Sequence, residues 1–193
     1  MTCIVGWIEN GVVTIGGDAA AVSGLRVTQR VAPKVFINGP MVFGFTSSFR
    51  MGDLLQHAFT VPEQRGSESV DKYMRTTFID AVRSCLKTGG FARKENEVER
   101  GGTFLVGYEG RLFYIDSDYQ VGESTDGFDA VGCGDEFARG AMAILRAGPS
   151  VDVEAKLRRA LEVAAKYSGG VSPPFAFVQG GARSNSGVPA PRD

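Results

Sequence analysis

The tightest constraint on the fold lies at the start of the chain, where residues 3 to 8 and 12 to 16 form two Ile- and Val-rich runs separated by Asn10-Gly11. An Asn-Gly pair between two apolar runs selects a two-residue turn whose twist matches that of paired strands. The stretch MTCIVGWIENGVVTIGGD therefore reads as a hairpin ending at Gly16-Gly17-Asp18, and the chain begins inside its own core. Most termini fray, but one built into a sheet is held in place. Its α-amine is then a candidate functional group, because a free α-amine titrates near ~7.7–8.0 and is a base at neutral pH where a lysine amine usually is not. On the hairpin alone, a strand that simply starts early accounts for the pattern without any chemistry.

At 193 residues the chain has room for one domain with a good core and is short for two. We expect a single domain over residues 1–180 and a disordered tail over 181–193, given the composition of the closing GGARSNSGVPAPRD. The formal charge is -1, and the one concentrated basic stretch is the mixed run Arg93 to Arg100, so neither nucleic acid nor an anionic membrane is an expected partner. No apolar run is long enough to span a bilayer, and the N-terminus lacks the basic region and cleavage site of a signal peptide. The expected location is cytoplasmic. Cys3, Cys85 and Cys133 are odd in number and widely spaced, which fits neither a disulfide framework nor a zinc site. The single histidine, His57, reads as an ordinary helix residue and leaves no material for a histidine triad.

Further along, Lys34–Ile37 and Met41–Phe45 read as strands around the turn Asn38-Gly39-Pro40, with Ser23–Pro33 a looped or partly extended connection. Hydroxyl caps at Thr46-Ser47-Ser48 precede a helix with Met51, Leu54, Leu55 and Ala58 at helical spacing, closed before Pro62. Residues 67–86 predict a second helix stopped by Thr88-Gly89-Gly90, followed by an exposed charged loop. Strands return at Thr103–Tyr108, Leu112–Ile115, Tyr119–Gly122 and Ala130–Gly132. Helices follow at Glu136–Leu145 and, opened by Pro149-Ser150, at Val151–Tyr167; a last strand covers Phe175–Val178. Asp116 and Asp118 read as turn residues, since Asp-Ser-Asp lacks the rest of a calcium loop. Hairpins separated by pairs of helices favour antiparallel sheets covered by helices over an alternating βαβ fold. The Gly132-Cys133-Gly134 triplet is too short for a phosphate loop or a dinucleotide fingerprint.

Thr2 becomes chemically interesting once Met1 is removed, because one residue then carries both a hydroxyl and a primary amine. That combination can serve as nucleophile and base without histidine. It calls for an anion to orient the terminus, a cation to lower the hydroxyl pKa and backbone donors for an oxyanion. Asp18 and Lys34 are the candidates for the first two. Cys3 follows in the strand, so its side chain points to the opposite face and reads as core; removal of both Met1 and Thr2 would instead give a cysteine-type hydrolase.

Taken in order, TCIVGWIENGVVTIGGD, PKVF, MVFGFTSS, GTFLVGYEGRLFYIDSD, AVGCGDEFARGA and YSGG resemble the N-terminal nucleophile hydrolases of the proteasome β-subunit and HslV group. The similarity runs from Thr2 to about Val178. It implies an α+β fold, a four-layer αββα sandwich of two antiparallel sheets flanked by helices, assembled as a homo-oligomeric ring. It further implies threonine-type peptidase chemistry on polypeptide or another amide substrate without any cofactor, with an ATP-dependent unfoldase as a candidate partner. Thr2 falls on the nucleophile, Asp18 on the nearby acid and Lys34 on the activating lysine. Cys133 stands where the family has a serine that assists the terminal amine, and Ser168 matches a second supporting serine whose usual aspartate is replaced by Ala165. Ser47 lies about where a glycine amide forms the oxyanion hole, and Val22 replaces a frequently hydroxyl-bearing residue of the substrate groove. These departures make a small-molecule amidase, or a weak or inactive assembly component of the same fold, the alternative expectations.

Overall fold

The structure, a computed structural model, describes residues 2–23, 26–148 and 152–182. Strands β1 (Cys3–Glu9) and β2 (Val12–Asp18) pair antiparallel across Asn10 and Gly11, whose φ angles of 52° and 74° are those the Asn-Gly pair selects. A small hairpin of β3 (Ala20–Ser23) and β4 (Arg26–Gln29) follows, then β5 (Val35–Asn38) and β6 (Met41–Phe45). Helix α1 (Phe49–Asp53) is capped by Ser48 and continues as a π segment, Leu54–Ala58. Helix α2 (Val70–Tyr73) passes through a π segment, Met74–Phe78, into α3 (Ile79–Thr88). The second half holds β7 (Arg93–Glu95), β8 (Val98–Arg100), β9 (Phe104–Tyr108), β10 (Arg111–Ile115), β11 (Val121–Glu123) and β12 (Phe128–Gly132). Helices α4 (Asp135–Ala147) and α5 (Val153–Tyr167) and strand β13 (Phe175–Gly180) complete it.

One sheet has the order β12-β1-β2-β13 and the other β11-β10-β9-β6-β5, all antiparallel. Alternation along β1 explains the stacking. Ile4 joins Val13, Ile15, Val35, Val42, Leu105, Leu112 and Val131 in the layer between the sheets. Its neighbours Cys3, Val5 and Trp7 face the other way, against Met142, Leu157, Leu161 and Ala164 of α4 and α5. A strand buried on both faces reads as one continuous apolar run, which is why β1 shows no polar alternation. On the far side, Phe43, Phe45 and Phe104 pack on Met51, Leu55, Phe78, Val82 and Leu86 of the α1–α3 layer. The expected αββα sandwich is the observed one. Gly44 lets its two sheets close: a Cβ there would lie 2.5 Å from Ile4 Cγ2 and 2.6 Å from Ile15 Cγ2.

Several stretches differ from the sequence reading: Ser23–Pro33, expected as a looped or partly extended connection, carries strand β4 paired with β3, and Tyr119, expected in a strand, turns at φ 70° ahead of β11. The charged run after α3 is not a loop but the hairpin β7–β8, turning at Asn96 and Glu97 with φ of 48° and 66°. All of its paired residues but Val98 are charged, so no apolar alternation announced it; Glu99 is instead held at 2.7 Å by Arg83. Helix α5 starts at Val153 on an Asp152 cap that accepts from Ala155 N at 3.2 Å, while the proposed opening at Pro149-Ser150 lies outside the described residues. So do Met1 and, apart from Gly181 and Ala182, the tail over 181–193. Asp118 accepts from Gln120 N at 3.0 Å and Asp116 from Ser117 N, as turn residues do. His57 is exposed on the first π segment. Among the described residues, no helix is long and apolar enough to cross a membrane, and no cluster of His, Cys, Asp and Glu suits a metal ion.

Candidate active site

The β1–β2 register sets Ile4 opposite Gly17, which brings Asp18 beside Cys3 at the start of the chain. Asp18 Oδ1 accepts from the Cys3 amide at 3.0 Å and Oδ2 from the Ala20 amide at 3.2 Å. Lys34 immediately precedes β5 in the other sheet, where its carbonyl accepts from Phe45 N at 3.0 Å. Its long stem spans the gap between sheets, so that Nζ sits 3.2 Å from both Asp18 oxygens and also donates to the Ala20 carbonyl. The two side chains are 1% and 0% exposed.

Burying such a pair is expensive, and apolar replacements of the same volume are often neutral or stabilising. Burial pushes the Asp18 carboxyl above its ordinary range against the opposing pull of Lys34 and the Cys3 amide. It likewise holds the Lys34 ammonium below its ordinary 10.5, with Asp18 opposing. Both shifts have the same cause, loss of water around the charged forms.

Thr2 is buried, and its carbonyl accepts from Cys133 N at 2.7 Å. The turn that delivers this donor requires glycine at Gly132: φ is 100°, and a Cβ would stand 2.1 Å from the Thr2 carbonyl oxygen and 3.0 Å from Thr46 Oγ1. On the turn's other side, a Cβ on Gly134 would lie 2.9 Å from Ser168 Cβ. Ser168 closes α5, its amide bonded to the Ala164 carbonyl at 2.8 Å. Thr2, Asp18, Lys34, Cys133 and Ser168 thus occupy one connected region at one end of the sandwich. Ser47 lies in the β6–α1 connection at φ 66°, left-handed backbone that glycine adopts at no cost, and its Oγ accepts from Thr103 N at 3.0 Å. Its neighbour Thr46 reaches the same turn through Gly132. Val22 pairs with Val27 in the β3–β4 hairpin, but its side chain lies outside the described residues.

Cys3 is part of the helix-facing core, and burial followed by the Asp18 charge pushes its thiol up to about 12. At pH 8 only about one part in ten thousand is thiolate. Iodoacetamide on the folded protein at pH 8 is therefore expected to leave Cys3 unmodified while alkylating the partly exposed Cys133, as read by peptide mass mapping. Prompt modification of Cys3 would contradict its place in the core.

Sequence reading missed Arg139, Asp129 and Asp135. Arg139 Nε bonds Asp129 Oδ1 at 2.8 Å, its NH1 bonds Asp135 Oδ2 at 3.3 Å, and its NH2 donates to the Ala130 carbonyl. The available signal was Asp135 and Arg139 four apart on one helix, a spacing common on any helix surface.

A sandwich in this order, with the chain's start threaded into its central strand pair, is the fold of the N-terminal nucleophile hydrolases of the proteasome β-subunit and HslV group. Among solved structures, Thiobacillus denitrificans BPH superposes with a TM-score of 0.78 at 21% identity, over 94% of this chain and 98% of that one. HslV from Trypanosoma brucei gives 0.65 at 20% identity over 92% and 98% of the two chains. Anbu, an ancestral β-subunit from Yersinia bercovieri, gives 0.65 at 15% over 93% and 81%. At these identities the likeness is one of fold. No protein-family model and no curated protein matches the chain.

Proposed function

We propose that this chain is a threonine-type amidohydrolase that cleaves polypeptide, with Thr2 as the nucleophile once Met1 is removed. The observation that carries the reading is the buried Asp18–Lys34 pair, bonded to the amide that follows Thr2. An ion pair this dry is costly for stability alone, and its position at the chain's start gives it a chemical use. In this reading Thr2 Oγ attacks the substrate carbonyl carbon as its proton passes to the Thr2 α-amine. The C–N bond then breaks as that proton moves to the leaving amine, giving an ester on Oγ. Water, deprotonated by the same amine, hydrolyses the ester and restores the hydroxyl. Lys34 stabilises the charge on Oγ and Asp18 holds Lys34 in register, while backbone N–H groups near Ser47 receive the oxyanion. In this reading Cys133 and Ser168 take the places of the family's two supporting serines; a thiol is a weaker hydrogen-bond partner than the hydroxyl of the family pattern.

The same reading places the chain in a homo-oligomeric ring, with an ATP-dependent unfoldase as a candidate partner. Native mass measurement tests the ring, and a strict monomer defeats that part of the proposal. One of the superposing structures is Thiobacillus denitrificans BPH in complex with epoxomicin. Epoxomicin supplies the direct test: incubation with the mature protein is expected to add one inhibitor mass per chain, mapped to Thr2. An unlabelled chain that nevertheless begins at Thr2 would favour the second reading, an inert assembly component, for which the loss of the usual aspartate at Ala165 is the specific observation.

A further inference from the structure

The geometry points to Arg139 as a positioning residue for the nucleophile, resting on the reading of Thr2 given above: it clamps the two ends of the Gly132–Gly134 turn and so fixes the donor that holds Thr2. The turn itself has little to stiffen it. Gly132 and Gly134 both lie at positive φ, 100° and 71°, where glycine leaves the backbone free in the unclamped state. What it carries must be exact, because Cys133 N is the 2.7 Å donor to the Thr2 carbonyl and Gly132 passes against the same oxygen without room for a Cβ.

Arg139 spans this turn from behind. On the strand side it binds Asp129 Oδ1 at 2.8 Å and the Ala130 carbonyl, three and two residues before Gly132. On the helix side it binds Asp135 Oδ2 at 3.3 Å, the residue after Gly134. Its own backbone sits one turn into α4, whose first turn is fixed by the Ala138 amide bonding the Gly134 carbonyl at 3.0 Å. The guanidinium fork, with its donors in one rigid plane, holds three anchors in a fixed relation, which a flexible ammonium does less well. Asp129 and Asp135 are 15% and 23% exposed and Arg139 is 41% exposed, so the carboxylates of the clamp are shielded while part of the guanidinium side chain meets solvent. The cluster is also close enough to the start of the chain that Asp135 and Arg139 both act on the Cys3 thiol through space. Arg139 touches no reacting atom; its effect passes through the turn to Thr2.

Arg139→Met keeps the apolar stem and removes the fork. In the mature protein it is expected to lower kcat for a fluorogenic peptide by about tenfold to a hundredfold with KM within about twofold, as misplacement of a reacting group by a fraction of an ångström does. Arg139→Lys, which keeps the charge, should recover part of the loss. A readout independent of turnover is amide hydrogen exchange: protection of Cys133 N–H is expected to fall by about tenfold or more in Arg139→Met, while the β1–β2 ladder amides keep theirs. Uniform loss of protection across the sheet would make Arg139 merely structural and overturn the inference, as would an unchanged kcat and unchanged Cys133 protection. Should Arg139→Met not fold, Asp129→Asn and Asp135→Asn weaken the clamp from either side, and parental kcat and Cys133 protection in both would overturn it equally. An active Thr2→Ala protein is a different failure, that of the proposed nucleophile, and leaves the exchange result to judge the clamp on its own.

Discussion

Thr2→Ala is expected to reduce peptide and amide hydrolysis by at least about a thousandfold, the scale on which removal of a covalent nucleophile acts. The fold should survive, because two contacts that hold the start of the chain run through backbone and outlast the substitution: the Thr2 carbonyl to Cys133 N, and the next amide to Asp18. Melting temperature and native mass within error of the parent would show that chemistry alone was lost. Thr2→Ser restores an Oγ and should restore measurable turnover. A Thr2→Ala protein that cleaves as fast as the parent would sink the enzymatic reading.

Asp18→Ala carries the second large effect, this time on stability. It leaves Lys34, at 2% exposure, as a buried cation without its carboxylate, and takes the acceptor from the Cys3 and Ala20 amides. Breaking a buried pair in this way costs about 3–5 kcal/mol. For a chain of this size that lowers the melting temperature by about 6–20 °C. The double variant Asp18→Ala with Lys34→Met separates structure from function. With no charge left to strand, it should recover most of the stability of the single variant, and it should still fail to hydrolyse peptide. A double variant that melts and cleaves like the parent would reduce the pair to a packing feature and remove the observation on which the proposed function rests.

Much of the fold was legible because local chemistry and global packing agree. The Asn10-Gly11 turn, the helical spacing of Met51, Leu54 and Leu55 and the Gly89-Gly90 stop each locate an element within a residue or two of its observed bounds. The β7–β8 hairpin was hidden because its register is set by turn geometry and ion pairing with Arg83, neither of which leaves an apolar pattern. The start of α5 slipped by two residues because Pro149-Ser150 and Asp152 both resemble caps, and only the bond from Ala155 N decides between them. At the candidate site, Asp18 and Lys34 are unremarkable residues one at a time. Their meeting depends on the end of β2 in one sheet lying over the start of β5 in the other, which no local window contains. Arg139 was illegible for a similar reason: its partners Asp129 and Ala130 belong to a strand and Asp135 to a helix, with the glycine turn between them.

Everything proposed for the site depends on the bond between Met1 and Thr2, since an acylated amine can neither accept the Oγ proton nor return it. Intact mass with N-terminal fragmentation of the natively expressed protein measures that bond directly. The account predicts a mature chain whose first residue is Thr2, with a free α-amine. A population that quantitatively retains Met1 would contradict it and leave the sandwich as a scaffold without a nucleophile.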